Sequence, residues 1–168
     1  RSSSAASDVY KRQIIGIVFI IPFIYFIVTK KIDKFITVRL LIILFFGSLQ
    51  AFIGWWMVKS GLIDKPDVSQ YRLAIHFGNS LLILFLLFWL ILDLKYKKSR
   101  IKFDLNLIIF FIIFVTIIAG SLVAGMDAGL MYNTYPLMND SFFPSDYLSL
   151  GLLDPFENPG SAQFHHRH

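Results

Sequence analysis

No cysteine occurs among the 168 residues. Disulfides, thiolate metal centres and cysteine nucleophiles are thereby excluded. Charge is scarce as well: Asp, Glu, Lys and Arg make up 16% of the chain, against 56% hydrophobic residues and 18 Phe. The mean hydropathy is +0.65. A water-soluble domain of that composition would precipitate, so the chain is read as an integral membrane protein. Lys and Arg exceed Asp and Glu by 16 to 11, but they lie in short clusters between apolar runs. Such clusters label membrane topology and do not form a nucleic-acid surface. A phosphate loop, a paired-carboxylate site, a Ser/His/Asp order and zinc-type spacing are all missing. Enzymatic chemistry on this chain therefore has to be brought by a cofactor.

The ends lack what complete membrane proteins carry. There is no initiator Met, and residues 1–13, RSSSAASDVYKRQ, are polar and unlike the apolar run that begins at Ile14. No short apolar core and no cleavage motif mark them as a signal peptide. They are expected to be a non-native leader joined to an internal fragment. The other end stops at QFHHRH.

Crossing a bilayer takes about 20 apolar residues in a helix. Four strongly apolar stretches qualify or nearly so: 14–29, 40–58, 73–93 and 105–126, the first being short. Lone strands cannot satisfy their backbone in lipid, so the expected fold is all-α, a membrane helix bundle. Lys30, Lys31, Lys34 and Arg39 fill the first connection, and Lys95, Lys97, Lys98, Arg100 and Lys102 the third. Both are expected on the cytoplasmic side. Between Phe103 and His166 there is no Lys or Arg, and Asp127, Asp140, Asp146, Asp154 and Glu157 come after the fourth stretch. That segment, 127–160, is expected to be an outer loop with one short helix. At 161–168 the chain is expected to turn back into the membrane.

Four features invite a functional reading. His76 lies near the outer end of the third stretch, and helical spacing puts Arg72, Asn79 and Ser80 on its face. A neutral imidazole there could ligate a haem iron with Arg72 pairing a propionate; equally, it could be a packing histidine bonded to a neighbouring helix. His165, His166 and His168 could be metal ligands or an interfacial cluster. Adjacent side chains cannot share a helical face, so at most one of His165 and His166 enters a given site. Gly120, Ala124 and Ala128, and Ser121, Gly125 and Gly129, form small-residue ladders that admit either a close helix or a flat cofactor. Trp55 and Trp56 suit an aromatic belt, and Asp127 a solvated interfacial acid.

Taken together, LQAFIGWWMVKSGL, VSQYRLAIHFGNSLLI, AGMDAGLMYNTYPLMND with FFPSDY, and FEN…QFHHR occur in an order that closely resembles the haem A synthase family, in its proteobacterial and mitochondrial form. The resemblance covers Ile14 to Arg167. It implies an eight-helix bundle of two four-helix halves, each holding a haem between two histidines, with this chain running from the end of helix two to the start of helix six. His76 then matches an axial ligand of the first half, and His166 an axial ligand of the second. His165 stands where the family has Asn or Asp and is not a ligand. Arg72 and Arg167 are expected near propionates.

The family's outer-loop glutamate would lie upstream of Ile14 and its last histidine downstream, so no catalytic residue is assigned here. The implied reaction oxidises a methyl group of haem O to a formyl, through hydroxylated intermediates, with haem b as resident cofactor and haem A as product. The resemblance further implies a bacterial or mitochondrial inner membrane and haem sites toward the outer face. Haem O synthase and an electron-transfer partner are implied, nucleic acid is not, and a homo-oligomer is compatible with it. The small-residue ladder is expected to bring porphyrin near Gly125, with residues 132–138 as an outer cap. The fragment alone is expected to be inactive. A di-haem electron-transfer cytochrome and a haem-free scaffold or transporter are the rival readings.

Overall fold

The computed structural model describes residues 2–61, 69–96 and 103–168. The acidic and basic connections carrying Asp64, Lys65 and Asp67, and Lys97, Lys98, Arg100 and Lys102, lie outside the described residues. The chain is helical, as its apolar runs demand. The long helices are α1 (Ser2–Val28), α2 (Lys34–Gly61), α3 (Gln70–Tyr96) and α4 (Leu105–Gly125), followed by short α5 (Asp154–Glu157) and α6 (Pro159–Arg167). Within α2, α3 and α4, the segments Lys34–Met57, Gln70–Tyr96 and Leu105–Gly125 are long and apolar enough to cross a membrane. Residues Gln13–Val28 of α1 form a shorter apolar helix. The polar leader is not separate from that segment, since α1 includes both.

Two compact units divide the chain at Phe45 and Phe46. In the first, α1 gives way to a turn at Lys30, whose φ of 52° is left-handed. Asp33 then opens α2 by accepting from the Ile36 N–H at 2.8 Å.

The second unit, Phe46–His168, carries every candidate site residue. Asp104 caps α4, its side chain accepting from the Leu107 N–H at 3.2 Å. Helix α4 ends where Asp127 turns left-handed, with φ 52°. α3 and α4 run antiparallel, and close approaches fix their register. A Cβ on Gly78 would meet Ile118 at 3.2 Å, one on Gly125 would meet the Gln70 backbone at 2.5 Å, and Phe85 lies 5.2 Å from Phe110, centroid to centroid. Small residues let the backbones approach, which matters in lipid, where packing rather than water exclusion holds helices together.

Much of the core gathers at and beyond the C-terminal end of α4. Val123, Ala128 and Ala162 form one buried cluster, and Tyr132, Met138 and Phe164 another. The segment between α4 and α6 is more structured than a loop with one short helix: it contains 3-10 turns at Ala128–Leu130 and Gly151–Leu153 as well as α5. Its folding follows from one acid. Asp154 is fully buried. Its carboxylate accepts from the Leu148 N–H (2.8 Å), the Leu150 N–H (3.1 Å), the Ser149 hydroxyl (3.3 Å) and the Asn158 amide (3.2 Å), and from the Ser161 hydroxyl. Asn158 in turn caps α6 by accepting from the Gly160 and Ser161 N–H groups at 2.9 and 3.3 Å. Pro159 at the first helical position fits its fixed φ and missing donor.

Candidate functional site

His76 sits on the α3 face that meets α2. Its neighbours form a polar knot around Gln50, a residue that composition and motif spacing had not singled out. The proton positions in this knot can be deduced. The Phe46 carbonyl can only accept, so the Asn79 group 3.1 Å from it is the amide nitrogen. That nitrogen also donates to Gln50 Oε1 at 2.6 Å. Gln50 therefore presents its own nitrogen to Ser80 Oγ at 2.5 Å and to the His76 carbonyl and His76 Nε2, each at 3.2 Å. A ring N–H cannot face an amide N–H, so His76 Nε2 carries the lone pair and Nδ1 the proton. Ser80 completes the knot by donating to the His76 carbonyl at 3.0 Å.

His166 is held by another partner. Its Nδ1 lies 3.1 Å from the Thr116 carbonyl on α4. The carbonyl is acceptor only, so Nδ1 bears a proton and, in the neutral ring, Nε2 the lone pair. The imidazole lies against bare backbone at Gly120, where a Cβ would come within 2.9 Å of Cε1.

The two rings are level in the bundle. Gly78 packs at Ile118, so His76, half a turn before Gly78, lies within a turn of Gly120, where His166 rests. They are also on different sides of α4. Ile118 and Gly120 are two residues apart, about 200° around a helix of 3.6 residues per turn. Ile118 faces α3, and Gly120 faces α6. Helices α3 and α4 thus both stand between two histidines at about one depth.

The remaining candidates are dispersed. Arg72 lies over the Trp56 ring, its guanidinium carbon 4.9 Å from the centroid. Trp55 is exposed and packs at a tilt against Phe52, 5.9 Å between ring centroids. Arg167 donates to the carbonyls of Tyr132 and Thr134 at 2.6 and 2.8 Å, tying the segment 132–138 to α6. Gln163 reinforces this tie, accepting from the Tyr132 N–H at 3.0 Å and donating to the Gly129 carbonyl at 2.9 Å. Asp127 is exposed.

The three C-terminal histidines do not converge on one ion. His165 packs on Tyr147 and borders a cleft of about 210 Å³ with Phe114, Leu122 and Phe156. His168 stacks on Phe164 at 4.6 Å and faces the Pro136 carbonyl at 3.1 Å. Among the described residues no group of three or more His, Asp or Glu is placed to hold a metal ion. The small residues of the two ladders meet different neighbours. Gly125 meets the backbone of α3, Gly129 has nothing within 4 Å, and Gly120 is the small residue that meets a candidate ligand.

Against known proteins, the chain matches the cytochrome oxidase assembly protein family, COX15-CtaA, over residues 10–168. It belongs to that family. The haem A synthase of Wolbachia pipientis wMel is 44% identical over 164 residues, which cover 92% of this chain and 47% of that protein. The haem A synthase of the Wolbachia of Culex pipiens is 47% identical over 163 residues, covering 92% and 49%. That of Parvibaculum lavamentivorans is 41% identical over 161 residues, covering 92% and 47%. The chain thus spans about half the length of the curated relatives it matches. No solved structure gave a significant match.

Family membership puts the histidine geometry in context. Haem iron is commonly held by an imidazole nitrogen whose partner N–H is fixed by a second hydrogen bond. His166 fits that demand through its Nδ1 bond to the Thr116 carbonyl, and at His76 the nitrogen that faces Gln50 is Nε2. Sequence reasoning missed Gln50 and Thr116 because their partners lie 26 and 50 residues away. It also passed over Asp154 and Asn158, although Asn followed by Pro is a readable helix-start signal.

Proposed function

We propose that the protein to which this chain belongs is a haem A synthase, converting a methyl group of haem O to a formyl group, with His76 and His166 as axial ligands of two separate haems. Family membership supports the reaction class. The observation that supports the ligand assignment is the placement of two histidines at about one depth, one bonded to Gln50 and the other to the Thr116 carbonyl. Bound haem supplies the redox chemistry that this cysteine-free chain has no side chains to perform.

The chain's own residues prepare the two nitrogens. Gln50 keeps His76 neutral and holds its backbone carbonyl; with Ser80 and that carbonyl as further acceptors, its amide can release Nε2 to iron without being left unsatisfied. Thr116 fixes the His166 tautomer through Nδ1. Arg72, beside the outer end of α3, and Arg167, which has donors beyond the two that hold the 132–138 segment, are proposed to meet propionates. The segment 132–138 covers the turn that carries His166 and limits water there. Haem b as resident cofactor, an inner-membrane location with outward-facing sites, and work alongside a haem O synthase and an electron-transfer partner belong to the same proposal.

The test uses the complete protein, co-expressed with a haem O synthase. Membrane haems are extracted, separated by chromatography and identified by mass. Haem A, absent from a His76→Ala variant, is the expected result. Haem O unchanged in protein that still carries haem b would instead establish a di-haem electron-transfer cytochrome.

A further inference from the structure

We propose that Gly120 and the Thr116 carbonyl form a seat for the His166 imidazole and are positioning groups for that ligand, an inference that rests on the ligand reading above.

In an α-helix the carbonyl of residue i accepts from the N–H of residue i+4. The side chain at i+4 leans back toward the N-terminus and covers the same turn. The second lone pair of a buried helical carbonyl is therefore normally screened. At Thr116 the screening residue is Gly120, and the screen is absent. The His166 ring fills that place. A Cβ on Gly120 would lie 2.9 Å from Cε1, 3.3 Å from Nε2 and 3.5 Å from Nδ1, so it would clash at Cε1 and the ring would have to shift. Ring and carbonyl meet through Nδ1 at 3.1 Å.

Gly is unfavourable in a helix interior unless something needs the space. Other glycines in the chain show the contrast. Gly16, Gly47 and Gly129 have nothing within 4 Å, and Gly125 admits backbone. Gly120 admits an imidazole. The consequence is chemical. A ring N–H bonded to a carbonyl fixes the tautomer and raises the basicity of the other nitrogen, which favours the oxidised metal. A methyl group at Gly120 displaces the ring and breaks that bond.

The experiment compares Gly120→Ala with Gly129→Ala in the complete, haem-loaded protein, with His166→Ala as reference. Potentials are read by optical redox titration. Gly120→Ala is expected to move the midpoint of one haem to higher potential and to weaken its retention roughly 10–100-fold, the size seen when a ligand's supporting bond is lost. The second haem and Gly129→Ala should match the unaltered protein. Unaltered potential and retention in Gly120→Ala, while His166→Ala removes one haem, would overturn the seat and leave the ligand assignment standing. If His166→Ala loses neither haem, the ligand assignment itself fails, and the seat with it.

A second measurement covers a Gly120→Ala protein that does not accumulate. In His166→Gly, added imidazole can reach the vacated seat and donate to Thr116, whereas N-methylimidazole has no N–H to give. Rescue of the haem spectrum by imidazole at about tenfold lower concentration supports the seat. Equal rescue by the two overturns it.

Discussion

Among single residues, Asp154 has the largest structural reach and no expected part in the chemistry. Burial alone would push its carboxyl pKa up. Hydrogen bonds from Ser161, the Leu150 and Leu148 N–H groups and Asn158 outweigh that and hold it down at about 2. The folded value lies below the ordinary carboxylate value near 3.9. Its contribution is therefore fully present above about pH 4 and is lost as pH falls toward 2. Protection factors against hydrogen exchange at Leu148 and Leu150 should stay high from pH 7 to 5 and fall through that acid window. In Asp154→Asn the protection should already be lost at pH 7, and a profile like that of the unaltered protein would count against the carboxylate's role. Asn158→Ala removes a helix cap, typically worth about 1 kcal/mol, and should lower the thermal midpoint of the complete protein while leaving Asp154 buried.

Gln50 belongs to the same scale. Gln50→Leu removes the donor that faces His76 Nε2 and the acceptor of Asn79. An unmatched buried polar group costs about 1–3 kcal/mol. We expect lower stability together with a broadened or shifted spectrum for the haem on the His76 side alone. An equal change at both haems would mean that the knot serves the whole bundle.

At the level of elements, α4 is the organiser. One face packs on α3 through Ile118 and Gly125, and another receives α6 at Gly120 and Thr116. Gly125→Leu would drive a bulky side chain into the Gln70 backbone, where even a Cβ comes to 2.5 Å. It should separate α3 and α4 where Gln70 meets Gly125 and reduce the haem content of the complete protein, with the loss falling on the His76 side, because Gly125 lies against the first turn of α3. The spanning helices were readable in the sequence because lipid leaves an uncharged apolar run no other way to satisfy its backbone. The end of α4 was readable too, in Gly125 and Asp127. The partners across helices were not. Whether Gly120 or Gly125 meets a histidine depends on the rotation of α4 relative to α6, and two interleaved ladders at the same spacing cannot reveal it. Likewise, the three histidines near the C-terminus resembled a cluster in sequence. On α6 they diverge toward Tyr147, Thr116 and Pro136.

On the scale of the whole molecule, the chain supplies one candidate ligand to each side of α4. It spans about half the length of its relatives. Large apolar side chains such as Phe88, Phe111 and Ile112 are exposed along α3 and α4, as befits surfaces that meet lipid or further helices. On the proposed function, a partition by these helices would keep two haem sites apart within one bundle.

The most direct test of that partition is low-temperature electron paramagnetic resonance of the complete protein, comparing His76→Ala and His166→Ala singly. Two distinct low-spin ferric signals are expected in the unaltered protein, each variant losing one and keeping the other. Loss of both signals in either variant, or of neither in both, would contradict the partition.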